Sequence, residues 1–234
     1  MKRHVSGKLL SDHGQDIIDG IVLSLHTPLG GAVGEHSLSS LGLKNRVAEM
    51  SFEMSLAHLS AGVQASDIGK LLKRSIPADD LLAPYAETLC DPSFNISLAG
   101  LINGSIDALL RVELEDGKPR FFISDYKSNR LDRDGDESMI HAYSAERMLH
   151  EMEHHHYPLQ ALIYGAAIYR FLRWRAPQID ADAAIAGFAY MFIRGMVGES
   201  TPVDSLGHRT GVLTWTAPSG FWSALSDLFA GGQK

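Results

Sequence analysis

The sequence predicts an α/β fold in which a central mixed β-sheet is flanked by helices. Three observations predict it: two apolar segments joined by a turn at 101–127, helical patterns at 137–153 and 157–175, and a near-continuous apolar run at 185–194. A run of that kind is typical of a central strand buried on both faces. Strands that alternate with helices in this way form a sheet covered by helices. The 234 residues, 45% of them apolar, suffice for one large domain.

The N-terminal part contains a predicted helix, a loop and a strand. Residues 9–26 place apolar side chains at helical spacing, whereas residues 28–42 are rich in glycine and serine and predict a loop. Residues 47–56 alternate, with Met50 and Phe52 among the apolar side chains of one face, which predicts a half-buried strand.

Short helices are predicted at 66–74 and 79–89, the second beginning at Asp79 or Asp80. After the 185–194 strand, the segment 212–216 predicts a final strand and 221–230 a closing helix.

The segments 101–114 and 119–127, joined by the turn sequence EDGKP, predict a β-hairpin. If the turn centres on Asp116 or Gly117, paired residue numbers sum to about 232 to 234, which places Asp107 opposite residues 125–127. Since strand residues two apart share a face, Asp125 and Lys127 point the same way. The hairpin therefore gathers two carboxylates and one ammonium.

This set of side chains suits phosphodiester hydrolysis. Two carboxylates on adjacent strands form an oxygen-ligand site for Mg²⁺ or Mn²⁺, to which the backbone carbonyl of Tyr126 would add another ligand. Lys127 would orient or deprotonate a water and stabilise developing negative charge. The alternative is that Asp125 and Lys127 form a pair on a solvent-facing strand edge. The apolar FFI before them favours a site, because a buried carboxylate is costly without a partner or metal.

Composition excludes several classes of site. The single cysteine, Cys90, excludes a disulfide, an iron–sulfur cluster or a four-cysteine zinc site within this chain. No apolar run of 18 residues, no signal peptide and no phosphate-loop motif for a nucleotide occurs, so we expect a cytoplasmic protein without a membrane span. The net charge of -7 argues against unaided capture of duplex DNA.

Several motifs then resemble a known family in order and spacing. These are NRVAEMSFEM, GLINGSIDALLRVE with FFISDYKSNRL, YPLQALIY and FAYMFIRGM. They resemble the PD-(D/E)xK nuclease superfamily and, within it, the C-terminal nuclease domain of RecB, over about residues 44–230. The resemblance implies a restriction-endonuclease-like core and a metal-dependent DNA nuclease of the exodeoxyribonuclease V type.

The resemblance also implies roles for individual residues. Asp107 and Asp125 would bind the metal, and Lys127 would be catalytic. A second group would position DNA or support the site: Tyr157, Gln160, Tyr164, Ser128 and Asn129. Gln160 and Tyr164, four apart on a helix, share one face.

As domain organisation we expect one nuclease domain over 1–234. Its parts are an N-terminal helix and loop (1–43), a catalytic core (44–197) and a C-terminal strand and helix (198–234). The resemblance implies a C-terminal fragment of a longer helicase–nuclease chain that acts in double-strand break repair. Its partners would be DNA single strands delivered by the helicase, RecC- and RecD-like subunits and the N-terminal helicase part.

One departure leaves an alternative open. RecB proteins carry a metal-binding histidine on a helix upstream of the first strand, and His13, His26 and His36 do not lie in that context. The rival hypothesis is therefore a catalytically inactive module that guides DNA or serves as a subunit scaffold. A more distant one is a hydrolase that uses the hairpin carboxylates without DNA.

Other features have simpler interpretations. The run of His154, His155 and His156 predicts a turn at a helix entry rather than a zinc site, although one of them could touch the DNA backbone. The cluster formed by Arg170, Arg173 and Arg175 predicts a solvated helix face. Trp174, Trp215 and Trp222 are predicted as core or interface aromatics, with base stacking as the alternative.

Overall fold

The computed structural model describes residues 13–56, 62–94, 96–114, 116–131 and 139–232. Its strands are β1 (Pro28–Gly30), β2 (Gly34–Ser37), β3 (Arg46–Ser55), β4 (Val63–Gln64), β5 (Ser97–Leu98), β6 (Leu101–Glu113), β7 (Pro119–Lys127), β8 (Ile185–Phe192) and β9 (Val212–Thr216). Its α-helices are α1 (Gly14–Leu25), α2 (Ala65–Ser75), α3 (Ala83–Cys90), α4 (Ala145–His154), α5 (Tyr157–Arg175), α6 (Ala181–Ala184) and α7 (Phe221–Phe229).

The central sheet has five strands in the order β3-β6-β7-β8-β9. Strands β7 and β8 run parallel, and every other neighbouring pair is antiparallel, so the sheet is mixed. The connection between the parallel strands carries α4 and α5, as a parallel crossover requires. The predicted α/β class with a mixed sheet between helices is confirmed.

The hairpin of β6 and β7 has the predicted register. Ala108 pairs with Ser124 and Glu113 with Pro119, so the paired numbers sum to 232. The turn closes with a hydrogen bond from the Gly117 N–H to the Leu114 carbonyl, and Gly117 adopts a φ of 69° that favours glycine. The turn chemistry therefore sets which residues face each other at the far end of the hairpin.

The sheet separates two apolar clusters. Helices α2, α3, α5 and α7 cover one face, where Trp222 and Tyr85 are among the largest buried side chains. The second face is covered by β1 and its neighbouring segments, through Leu29, Val33 and Leu38. Burial on both faces explains why the β8 segment is almost continuously apolar.

Three element predictions need correction, whereas the other predicted strands and helices form near their predicted bounds. Residues 28–42 are not only a loop, because β1 and β2 pair there as a short hairpin. Helix α3 begins at Ala83 rather than at Asp79 or Asp80. Asp80 is instead engaged in the preceding turn, where its carboxylate accepts from the Leu82 N–H and the Trp215 indole. Helix α4 begins at Ala145 and not at 137, since residues 141–143 form a 3₁₀ turn.

Some residues of the predicted elements are not among those that the structure describes. The start of the predicted 9–26 helix falls on residues 9–12, and part of the predicted 137–153 helix falls on 137–138. Among the described residues, no helix combines the length and apolarity needed to cross a membrane.

Gly165 in α5 tests how tightly the helices pack on the sheet. A Cβ at Gly165 would lie 2.0 Å from the buried Trp222 ring, whereas a Cβ at Gly20 in α1 would meet nothing within 4 Å. We expect Gly165→Ala to lower the free energy of unfolding by about 1–3 kcal/mol through overpacking. Gly20→Ala, the matched control, should raise it by about 0.5–1 kcal/mol through helix propensity. Urea denaturation checks both, and equal midpoints for the two variants would contradict the packing.

Candidate active site

Asp107 and Asp125 lie side by side at the end of the β6–β7 ladder. Ala108 and Ser124 form the last pair, and the two aspartates are the next residues in the same register. The Asp107 Oδ2 accepts a hydrogen bond of 3.1 Å from the Tyr126 N–H. Both carboxylates therefore occupy one edge of the hairpin.

The side chains of β6 change face at Asp107. Ala108, Leu110 and Val112 pack into the cluster beneath β1, whereas Ile106 packs with Leu109 on the α5 face. On β3 the residue opposite Asp107 is Glu49, which has a φ of 52° between the regular pairs on either side. This local irregularity accompanies the placement of Asp107 beside the α5 face, where burial raises the pKa of Tyr164 and Tyr190 and the Asp107 charge adds to the shift.

Asp125 is a buried carboxylate, with only 3% of its surface exposed. Burial raises its pKa, the neighbouring Lys127 ammonium opposes that shift, and the Asp107 charge adds to it. Asp125 Oδ2 forms an ion pair with Lys127 Nζ but accepts no hydrogen bond of regular geometry from the residues described. One oxygen of a buried carboxylate thus has capacity for a further positive partner.

Lys127 lies against two aromatic rings. Its Nζ is 3.8 Å from the centroid of the Tyr157 ring and 5.4 Å from that of Tyr190. The two rings are nearly parallel, with centroids 6.0 Å apart. Cation–π attraction and the Asp125 carboxylate together fix the ammonium beside Asp125.

A chain of hydrogen bonds joins the sheet to the start of α5. The buried Tyr190 hydroxyl donates to the Tyr157 carbonyl at 2.9 Å and to Gln160 Oε1 at 3.2 Å. Gln160 Nε2 in turn donates to the Tyr164 hydroxyl at 2.9 Å. Burial raises the pKa of both tyrosines, so these hydroxyls keep their protons at neutral pH.

The segment after β7 is fastened by residues from other elements. The Ser128 carbonyl accepts from Arg194 Nε at 2.8 Å, and Asn129 Nδ2 donates to Glu151 Oε1 at 2.7 Å. His155 forms an ion pair with the same Glu151 oxygen at 3.2 Å. Ser128 and Asn129 therefore hold the loop that leaves the site.

Sequence reasoning missed three residues here: Tyr190, Glu151 and Arg194. Tyr190 carried a weak signal, as a hydroxyl within an apolar strand that is paired in parallel with β7 directly beside Asp125. The partners of Glu151 and Arg194 are distant in the chain, and no local pattern indicated them.

Comparison with known proteins gives relatives that share one name. The chain is 40% identical over 219 residues to the RecBCD enzyme subunit RecB of Mycobacterium tuberculosis, which covers 91% of this chain and 19% of the relative. It is 41% identical over 208 residues to the subunit of the same name from Mycolicibacterium smegmatis, covering 86% of this chain and 19% of that relative. The chain is homologous to RecB. No family model matches it.

The resemblance to RecB in the sequence motifs is thereby confirmed. The RecB subunit of Escherichia coli, at 29% identity over 195 residues, extends the comparison to a more distant bacterium. The homology covers a limited part of each RecB subunit, because the chain spans 19% of the length of the mycobacterial relatives.

The donor set fits a hydrated divalent cation. No group of three or more histidine, cysteine, aspartate or glutamate side chains arranged for a metal occurs among the residues placed by the structure. Asp107 and Asp125 supply two carboxylates, and Mg²⁺ is commonly held by one or two carboxylates with water and substrate phosphate completing its shell. The site thus suits a hard cation that keeps part of its hydration.

The histidine run lies at the junction of α4 and α5, as the sequence predicted. His156 adopts a φ of 55° before α5, and its Nδ1 is 3.3 Å from the Tyr85 hydroxyl. His155 stacks on Tyr157 with centroids 5.3 Å apart. The run therefore contributes to the junction that places Tyr157 against Lys127.

Tyr190 offers a test of the hydrogen bonds behind the site. Tyr190→Phe removes a buried hydroxyl that donates to the Tyr157 carbonyl or to Gln160 Oε1, and it should lower the free energy of unfolding by about 1 kcal/mol, the typical net contribution of one hydrogen bond. Tyr126→Phe, on the neighbouring strand with 36% of its surface exposed, is the control and should stay within about 0.5 kcal/mol of wild type. Urea unfolding measures both. A Tyr190→Phe protein as stable as the control would show that the bonds contribute nothing.

Proposed function

We propose that this chain is a metal-dependent DNA nuclease that hydrolyses phosphodiester bonds. One observation supports it above all: in a RecB homologue, Asp107 and Asp125 follow the last pair of the β6–β7 ladder, and Lys127 forms an ion pair with Asp125. That grouping brings together oxygen ligands for a cation and a fixed positive charge for a phosphate.

We propose that Asp107, Asp125 and the backbone carbonyl of Tyr126 bind a divalent cation. Mg²⁺ is the proposed ion and Mn²⁺ an alternative, since both prefer oxygen ligands. When bound, such an ion lowers the pKa of a coordinated water and neutralises phosphoryl charge. The two aspartates carry like charges at neighbouring positions of the hairpin, and a cation between them would reduce their repulsion.

Lys127 is assigned to charge stabilisation. Its contacts with the Asp125 carboxylate and with the faces of Tyr157 and Tyr190 hold the ammonium in place. An ammonium fixed beside the cation ligands stabilises the negative charge that builds up on the phosphoryl oxygens. We therefore prefer this role to proton abstraction by Lys127.

The remaining predicted residues are assigned to positioning. Tyr157 forms one wall beside Lys127, while Gln160 and Tyr164 present polar groups along one face of α5. Ser128 and Asn129 anchor the strand exit through Arg194 and Glu151. Substrate phosphates would contact these positioning residues before they reach the carboxylates.

The proposed substrate is a DNA single strand that another component delivers. A net charge of -7 gives little attraction for DNA far from the site, so delivery by a helicase motor suits this chain better than capture from solution. From the name of its relatives we extend to it RecC- and RecD-like partners in double-strand break repair. A helicase part in the same polypeptide belongs to the same proposal.

Cleavage assays test the assignment. With Mg²⁺ and an end-labelled single-stranded oligonucleotide, Lys127→Met should lower the rate about 10²- to 10³-fold, because it removes a fixed charge from the transition state. Asp107→Asn and Asp125→Asn should lower it at least as far. Glu113→Gln at the other end of β6 and Lys118→Met in the turn are the matched controls and should cleave like wild type.

The same assay separates the rival scaffold hypothesis. Equal cleavage by wild type and all three site variants would eliminate the catalytic assignment. Binding of the oligonucleotide without cleavage by wild type, at any Mg²⁺ or Mn²⁺ concentration, would favour the inactive guide or scaffold.

A thermal melt tests the cation site without a substrate. A ligand at a hundred times its Kd stabilises the folded chain by about 2.7 kcal/mol, and a domain of this size gains about 2–4 °C for each kcal/mol. We therefore expect Mg²⁺ to raise the Tm of wild type and of Glu113→Gln by several degrees. Asp107→Asn and Asp125→Asn should lose most of that gain. The same rise in all four proteins would place the cation elsewhere.

A further inference from the structure

Two large aromatic side chains lie exposed near the C-terminal end of α5. Trp174 has 73% of its surface exposed and Phe171 has 41%, and their rings meet edge to face with centroids 6.4 Å apart. Trp215 and Trp222 are core residues, as predicted, but Trp174 is not. Adjacent exposed aromatics of this size commonly mark a binding surface.

A single face of α5 connects these aromatics to the candidate active site. Gln160, Tyr164, Ala167, Phe171 and Trp174 follow one another at intervals of three or four residues, so they form one stripe. From Gln160 to Trp174 the stripe rises about 21 Å. Its first two residues belong to the hydrogen-bond chain of the site, and its last two are exposed.

Strand β3 forms the opposite wall of a groove along this stripe. The groove has a volume of about 380 Å³, and Met50, Phe52, Phe171 and Trp174 are among its lining residues. Phe52 meets Tyr164 edge to face at 5.5 Å, and Gly104 lies beneath them, since a Cβ there would be 2.9 Å from the Phe52 ring. The groove therefore ends at Phe52, whose ring contacts Tyr164 of the candidate site.

Positive charge lies in the last turns of α5, where Arg170 lines the groove and Arg173 and Arg175 lie outside its lining. Arg170 was predicted on a solvated face, but its guanidinium donates to the carbonyls of Ser55 and Ser226, which are neutral acceptors. Arg175 lies 5.1 Å from the Trp174 ring centroid, and Arg173 donates to the Tyr169 hydroxyl. Within the described ranges, none of the three arginines forms an ion pair with a carboxylate, although Asp227 acts on Arg170 and Arg173 from farther away.

We propose that this groove binds single-stranded DNA next to the cleavage site, with bases stacked on Phe171 and Trp174 and phosphates near Arg173 and Arg175. The inference rests on the proposed nuclease function and names the path of its substrate. Stacking aromatics beside cations is the combination that holds single strands without sequence preference. Phosphates pass along α5 rather than β3, because Glu53 lines the β3 wall.

Tryptophan fluorescence tests the proposal without cleavage. The 234-residue chain is titrated with a twelve-nucleotide oligo(dT) in the presence of EDTA. Because Trp215 and Trp222 are buried, the exposed Trp174 should supply the quenching, and Trp174→Phe should abolish most of it. By fluorescence anisotropy, Trp174→Ala should weaken oligo(dT) binding on the order of tenfold. Leu206→Ala, another exposed apolar residue, is the control and should leave the affinity unchanged.

Salt dependence tests the phosphate contacts. The double variant Arg173→Ala/Arg175→Ala should reduce the slope of log affinity against log salt by about 1.4, since two contacts to a single strand are lost. Arg74→Ala, an exposed arginine in the last turn of α2, should keep the wild-type slope. Urea denaturation midpoints close to that of wild type would show that neither the weaker binding nor the smaller salt slope is caused by unfolding.

The outcomes separate this inference from the proposed function. Wild-type affinity in Trp174→Ala together with an unchanged salt slope in the double arginine variant would overturn the groove proposal, even if the chain cleaves DNA. That result would favour a protein partner on the groove. Normal quenching in a Lys127→Met protein that does not cleave supports both proposals. Quenching through Trp174 in a wild-type chain that never cleaves supports the groove and contradicts only the nuclease.

Discussion

The antiparallel register between β6 and β7 places Asp107 beside Asp125, and the other contacts of the site are arranged around that pair. A slip of one residue would move Asp125 and Lys127 to the opposite face of the sheet. Burial makes the Asp125 charge costly, and the neighbouring aspartate adds repulsion. The ammonium of Lys127 opposes both effects. The site is therefore an electrostatic compromise between a buried carboxylate and the ammonium that partly compensates its charge.

An aromatic layer allows this compromise inside a well-packed protein. Tyr157 and Tyr190 present ring faces to Lys127, and the buried Tyr190 hydroxyl donates to acceptors at the start of α5. The rings exclude water from one side of the ammonium without neutralising it. Because β8 carries Tyr190 while the start of α5 carries Tyr157, sheet and helix must dock correctly before Lys127 is fixed.

Much of the architecture was predictable because the information is local. Alternation in β3, the turn at Gly117 and the apolar run of β8 each fix an element within a few residues, and the hairpin register follows from the turn. Within the site, the residues of the hairpin and of the α5 motif were predictable from the sequence. Tyr190 and the exposure of Trp174 were not, because both depend on which elements pack together across the fold. The hairpin of β1 and β2 was missed because a segment rich in glycine and serine carries little hydrophobic pattern.

Strand β3 is one edge of the central sheet, and ten residues of an extended edge offer a template on which other chains can assemble into fibres. Glu49 interrupts that template near its middle. Its left-handed backbone lies between the pairs Ala48–Ala108 and Met50–Ile106 and leaves no pair at its own position. The regular edge therefore consists of two shorter runs, the second of which ends where Arg170 occupies the Ser55 carbonyl, and short runs are weaker templates for an added strand.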